Sequence, residues 1–204
     1  MKLYYKPGAC SLASHIALME AGAPFSIEKV DTEAGRTESG ADYRKISPRG
    51  YVPALELDDG RVVTEGAAIL QFIADSYRDS ALAPAAGTFE RTRLHELLNF
   101  VASELHKSFG PFFSGKAPEG EARDTAVKAV QSRLRHIDTI LADGRPYLLG
   151  ENFSVVDAYC FVVTNWANFV DISLDKLPHA KALVARVAER PSTVAAMRAE
   201  GLIN

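Results

Sequence analysis

Lys2-Leu3-Tyr4-Tyr5-Lys6-Pro7-Gly8-Ala9-Cys10-Ser11 decides how the rest of the chain is read. Its first four residues have strand character, Pro7-Gly8-Ala9 reads as a turn, and Leu12 to Ala21 follows as a helix. A strand that turns into a helix sets the Cys10 thiol at the helix mouth, where backbone N–H groups converge and the positive dipole end favours an anion. Cys10 is therefore expected to ionise below an ordinary cysteine and to be available for chemistry. The rival reading is a small buried apolar residue, the commoner fate of a free cysteine. Cys160, inside the apolar run Asp157-Ala158-Tyr159-Cys160-Phe161-Val162-Val163, is read that way.

Outward from this start, the first eighty residues alternate between the two kinds of element. Strands are expected at Lys2 to Tyr5, Ser26 to Val30, Ala54 to Leu57 and Val62 to Thr64. Helices are expected at Leu12 to Ala21, briefly at Asp42 to Ile46, and at Glu65 to Tyr77. Asp59-Gly60 between two alternating runs marks an antiparallel hairpin, and Gly22 suits a helix C-cap. Residues 79–88, with Pro84 and Gly87 and no period, read as a linker. Beyond Phe89 every pattern is helical. Leu94, Leu97, Leu98, Val101, Leu105 and Phe109 recur at three and four, as do Val127, Val130, Leu134, Ile137, Ile140 and Leu141. Further helices are expected at Val155 to Val170, Ala180 to Ala188 and Ser192 to Glu200. Ser154-Val155-Val156-Asp157 has the form of a capping box. The expected organisation is an α/β domain over residues 1–78, the linker, and an all-α domain over 89–204.

Composition narrows the function. Over 204 residues the formal net charge is −3 and 24% of residues are charged, so no basic stripe points to nucleic acid and no polybasic segment to an anionic membrane. Two cysteines build no disulfide framework, and no Cys/His spacing suggests a metal site. Lys6, Pro7 and Gly8 interrupt any signal-peptide core, and no stretch approaches the roughly 20 apolar residues of a membrane span. The expectation is a cytoplasmic protein whose partner is a small molecule or another protein.

Two further stretches can hold a ligand. Gly50-Tyr51-Val52-Pro53-Ala54-Leu55 sets a proline at a strand entrance. A cis Val52-Pro53 bond would leave the Val52 N–H and C=O facing outward to pair with an extended peptide, whereas a trans bond makes Pro53 an ordinary edge proline. Thr64-Glu65-Gly66-Ala67 joins a strand to a helix N-terminus with a carboxylate beside it, an arrangement suited to an amino-acid end group. Glu65 serves equally well as a first-turn acid of that helix.

A peptide-like backbone, an amino-acid end group and a thiol are the parts of glutathione. On Tyr5-Lys-Pro-Gly-Ala-Cys10-Ser, Tyr51-Val-Pro-Ala-Leu55, Thr64-Glu-Gly66, Glu104-Leu-His106-Lys107 and Phe153-Ser-Val-Val-Asp157-Ala-Tyr159, the chain resembles the glutathione S-transferases over essentially its whole length. It looks most like their bacterial beta class. The resemblance implies a thioredoxin-like N-terminal domain, an all-α C-terminal domain, a homodimer and a cis Pro53. It implies transfer of glutathione, as co-substrate and without a metal, to apolar electrophiles in detoxification. Glutathione would be held by Ala9, Cys10, Val52, Pro53, Glu65 and Gly66.

On the helix from Phe89, Asn99, Ser103 and His106 are spaced to share one face. By resemblance, His106 and Lys107 stand near the glutathione sulfur and Cys10, and Ser103 and Glu104 reach the glutamyl end in the neighbouring subunit. Asn99 joins them as a binding residue. One position departs from the class: Glu33-Ala34-Gly35-Arg36 has glycine where a lysine near the glycine carboxylate of glutathione is usual, which leaves that contact to Arg36. Tyr5 and Ser11 are alternatives to Cys10, since other classes stabilise the thiolate with tyrosine or serine. Phe109, Phe112, Phe113 and Trp166 are candidates for the electrophile wall. Two rival functions stay open: thiol–disulfide exchange through a Cys10 mixed disulfide, and non-catalytic ligand carriage.

Overall fold

The structure, a computed structural model, describes residues 1–204. The chain forms two compact units, Met1–Ala83 together with Glu189–Asn204, and Pro84–Ala188.

The first unit is built on five strands: β1 (Lys2–Tyr5), β2 (Ser26–Asp31), β3 (Arg36–Thr37), β4 (Ala54–Glu56) and β5 (Val62–Thr64). They lie in the order β3-β2-β1-β4-β5, with β1 parallel to β2 and every other pair antiparallel. Helix α1 (Ser11–Glu20) supplies the crossover between β1 and β2, and α2 (Gly66–Ser76) follows β5. Because β1 is central, both of its faces are covered. Leu3 is buried, while Tyr4 faces a second cluster with Val30, Tyr43 and Ala54, against which Ile46 and Val52 pack. The Asp59-Gly60 hairpin forms as its sequence suggests, with Leu57 and Gly60 hydrogen-bonded around the turn.

Every residue of α1 from Ser11 to Leu18 is buried. A helix covered all round needs neighbours on more than one side, and here they are α2 and a last helix, α9 (Pro191–Ala199). This corrects the expected boundary: residues 189–204 belong to the first unit, not to a helical domain running to 204. The reason is polar as well as apolar. Glu20 at the end of α1 takes hydrogen bonds from Arg190 and Ser192, and Glu200 accepts from the Gly8 amide.

The second unit is helical: α3 (Phe89–Phe100), a π-helical turn (Val101–Leu105), α4 (His106–Ser108), α5 (Gly110–Phe113), α6 (Gly120–Ile140), α7 (Val155–Phe169) and α8 (Pro178–Ala188). Helix α7 is its centre, with Val155 to Thr164 all buried. Asp157 fixes where α7 begins. Its carboxylate takes the Ser154 amide and hydroxyl at 2.9 and 2.7 Å, and the Leu148 amide at 2.8 Å. Burial pushes this carboxyl up to about 6 in spite of those bonds.

The wide turn at Val101–Leu105 has its cause in the sequence. Val101, Leu105 and Phe109 are buried at successive steps of four, and each such step overshoots an α-helical turn by about 40°. A looser turn takes up the drift and keeps all three on the core side. Turns of this kind recur at functional sites, and this one leads directly into His106. No helix is long and apolar enough to cross a membrane.

Candidate functional site

In the first unit three segments carry candidate residues. Cys10 stands at the N-cap of α1, half-buried, and its side chain makes no cap bond. Its thiol donates instead to the Val52 carbonyl at 3.3 Å, so the sulfur and the Val52-Pro53 strand entrance are direct neighbours. The turn before it is closed by the Ala9 amide on the Lys6 carbonyl at 3.0 Å, and Gly8 adopts φ +70, a conformation glycine takes without strain. Ser11 is fully buried. Its hydroxyl accepts from the Lys6 amide and donates to the Lys6 carbonyl, both at 3.2 Å, so it is committed to the turn. Tyr5 is 7% exposed and burial raises its phenol.

The Val52-Pro53 bond is cis. Two hydroxyls fix the approach to it: Tyr43 and Ser47 both donate to the Tyr51 carbonyl, at 2.8 and 3.1 Å. Burial pushes the Tyr43 phenol up to about 12, so it stays a donor. The Val52 side chain is packed inward, and its N–H meets no protein acceptor, which leaves one backbone donor open beside Cys10.

Glu65 caps α2 at φ 67, ψ 113, a backbone conformation costly for any residue but glycine. Its carboxylate is exposed and meets Arg49 at 2.6 Å, a surface pair of little energetic weight. Gly66 begins the helix. Arg36 is exposed on β3, and its guanidinium donates to the Gly40 carbonyl of its own turn at 3.0 Å.

In the second unit the candidates divide. Asn99 and Ser103 lie together on an exposed stripe, where the Ser103 hydroxyl donates to the Asn99 carbonyl at 2.8 Å. Glu104 pairs with Arg133 of α6 at 3.3 Å. His106 does not share the stripe of Asn99 and Ser103. The wide turn rotates it toward α7, where Nδ1 lies 2.8 Å from the Tyr159 hydroxyl and the ring meets Trp166 edge-on at 4.9 Å. Burial, with the Lys107 charge behind it, lowers the imidazole to about 4 and keeps it neutral. Lys107 is exposed.

Of the four aromatic candidates, Phe109, Phe112 and Trp166 are core, and Phe113 is 54% exposed with its ring on Trp166 at 5.3 Å. Tyr159, Tyr43 and Arg49 bear on these groups without having been singled out in the sequence. Each touches a candidate only through a tertiary contact that spacing along the chain does not reveal. Cys160 is buried, its thiol pushed up to about 12 by desolvation, and inert.

Comparison with known proteins converges on this geometry. Residues 8–76 match the family model for the glutathione S-transferase N-terminal domain, and residues 100–191 match the C-terminal domain. The chain belongs to the glutathione S-transferase family. It is 45% identical, over 99% of its length and 100% of the relative, to the glutathione S-transferase GstA of Escherichia coli O157:H7. Among solved structures it is similar to the bacterial beta class glutathione S-transferase of Sphingomonas chungbukensis, with 46% identity, full coverage of both chains and a TM-score of 0.94. A sphingomonad glutathione S-transferase complexed with glutathione is 45% identical, again over both full chains, with a TM-score of 0.94. The fold is that of the family.

Proposed function

We propose that this chain conjugates reduced glutathione to apolar electrophiles, as a homodimer in the cytoplasm, with Cys10 beside the glutathione sulfur. The observation that carries the reading is the 3.3 Å contact between Cys10 Sγ and the Val52 carbonyl next to an open Val52 N–H. A peptide backbone pairing with Val52 delivers its own cysteine side chain to Cys10. The glutathione complex of the sphingomonad relative supports the ligand.

In this arrangement Ala9, Val52 and Pro53 hold the tripeptide backbone. Glu65 and Gly66 at the α2 N-terminus take the ammonium and carboxylate of its glutamyl end. Asn99, Ser103 and Glu104 complete that end from a second copy, and Arg36 exchanges its weak Gly40 contact for the glycine carboxylate. His106 and Lys107 are assigned catalytic roles on the family resemblance. The thiol proton leaves to water, the sulfur pair forms the new carbon–sulfur bond, and the electrophile's leaving group departs with the pair of the broken bond. Orientation and a raised thiolate fraction supply the acceleration. Tyr51 and Phe89, each about 70% exposed, are apolar surface suited to burial against the partner copy.

A half-exposed thiol also favours a second reading, in which the Cys10 thiolate attacks oxidised glutathione, forms a mixed disulfide and releases reduced glutathione. The test is the intact mass of wild type and Cys10→Ala after exposure to oxidised glutathione, followed by a conjugation assay on both. Conjugation that survives in Cys10→Ala, with the mass adduct lost, supports conjugation with Cys10 as a neighbour. No measurable glutathione binding by calorimetry at millimolar ligand overturns both.

A further inference from the structure

Tyr43 and Ser47 lie one turn apart in a loop that closes on its own backbone. The Ser47 amide donates to the Tyr43 carbonyl and the Gly50 amide to the Ser47 carbonyl, both at 2.8 Å. Tyr43 and Ser47 are buried, at 0% and 2% exposed. The Tyr43 ring packs on that of Tyr4 with centroids 5.7 Å apart, beside Val30 and Ala54, so the core holds its hydroxyl in place. Both hydroxyls converge on one acceptor, the Tyr51 carbonyl, and so occupy its two lone pairs. The Tyr51 side chain is 70% exposed and gives that peptide no anchor of its own within the chain. The same peptide unit carries the Val52 N–H. It is a trans unit, so its N–H points opposite to its carbonyl. Pinning the carbonyl inward therefore aims the N–H outward, where it meets no protein acceptor. Two bonds on the carbonyl also polarise the unit and make its N–H a stronger donor.

We propose that Tyr43 and Ser47 are positioning residues for glutathione, whose paired hydroxyls lock the Tyr51-Val52 peptide plane so that the Val52 N–H stands ready for the cysteinyl carbonyl of the tripeptide. The inference rests on the pairing of Val52 with that backbone. A plane already held needs no ordering when the ligand arrives, which is where the affinity is gained. Burial keeps the Tyr43 phenol protonated, so it remains a donor throughout the neutral range. The bond to Val52 touches no reacting atom and is the same before and during the reaction, so its loss appears in KM and not in kcat. Either hydroxyl alone holds the plane. With both gone, the Tyr51 carbonyl turns to water for a partner and takes the N–H with it.

The test sets glutathione against γ-glutamylcysteamine, which keeps the glutamyl end and the thiol but lacks the cysteinyl carbonyl and the glycine. Steady-state kinetics and calorimetry are run on the wild type, Tyr43→Phe, Ser47→Ala and the double variant. KM for glutathione should rise about threefold in each single variant and about thirtyfold in the double variant, more than the product of the two, with kcat within about twofold. The double variant should bind γ-glutamylcysteamine within about twofold of the wild type, since that ligand offers Val52 no carbonyl. Unchanged affinity for glutathione in the double variant, or an equal loss for both ligands, overturns the positioning role alone. A wild type that binds both ligands equally tightly overturns the pairing of Val52 with the tripeptide, and the positioning role with it. Tyr43→Phe keeps the buried ring, so where the double variant does not fold the same comparison is made on that single variant through its smaller effect.

Discussion

The Gly8 amide donates to Glu200 Oε2 at 3.0 Å across 192 residues of sequence, and the other carboxylate oxygen meets His15 Nδ1 at 3.0 Å. Both Glu200 and His15 side chains are fully buried. The turn that delivers Cys10 is thus fastened from the far end of the chain. Glu200→Ala is expected to cost about 3 kcal/mol, because the Gly8 N–H and His15 then lose a partner in a dry interior. Urea unfolding checks this, and Cys10 should alkylate faster in the variant as its turn loosens. An unchanged unfolding midpoint would show the contact to be dispensable.

Acid has opposite effects on one partly buried and one buried group of the helical unit. His106 is lowered from 6.5 to about 4, so the unfolded chain binds the extra proton between those values and stability falls as pH drops through that window. Asp157 is raised from 3.8 to about 6, so the folded chain binds the extra proton and stability falls as pH rises from about 4 to 6. Each amounts to roughly 3 kcal/mol, and in the wild type the two nearly cancel. His106→Gln should unmask the Asp157 slope. Unfolding free energies measured from pH 4 to 6.5 should then favour the variant, relative to wild type, progressively more as pH falls.

Glu65 combines a costly backbone conformation with an exposed carboxylate. Glu65→Gly relieves the conformation and loses only a surface pair with Arg49, so stability is expected to hold or to rise by up to about 1 kcal/mol. KM for glutathione should rise about tenfold as the ammonium loses its counter-charge. Thermal unfolding beside a glutathione titration separates the two effects. A fall in both stability and affinity would make Glu65 a helix cap only.

Arg36 stands one residue beyond Gly35, which occupies φ +67. A lysine introduced at 35 meets that strained conformation, and the proposed contact with the glycine carboxylate of glutathione is assigned to Arg36 instead. Arg36→Ala should raise KM for glutathione about fivefold or more with kcat unchanged, and Arg36→Lys should recover part of it. A change below twofold would leave the guanidinium with Gly40 and that carboxylate in solvent.

Much of this was legible along the chain because the signals are local. The Pro7-Gly8 turn, the Asp59-Gly60 hairpin and the Ser154/Asp157 cap each work within a few residues. The Leu94 to Phe109 stripe marks the buried face correctly. What it did not convey is that the two consecutive steps of four from Val101 to Phe109 require a wide turn, which takes His106 off the stripe of Asn99 and Ser103. The membership of residues 189–204 was hidden for a different reason. It depends on Glu20, His15 and Gly8 meeting Arg190, Ser192 and Glu200, and no periodicity encodes a contact at such separation. Tyr159 escaped for the same cause.

The Gly8 to Glu200 fastening also sets an order of events during synthesis. The strands and helices of residues 1–83 leave the ribosome long before the carboxylate that their first turn requires. Until residue 200 emerges, α1 has no α9 to cover it, and its buried Ser14 and His15 face water or a chaperone. The turn that carries Cys10 therefore awaits residue 200, and a nascent chain stalled short of it holds that turn on an unfinished scaffold.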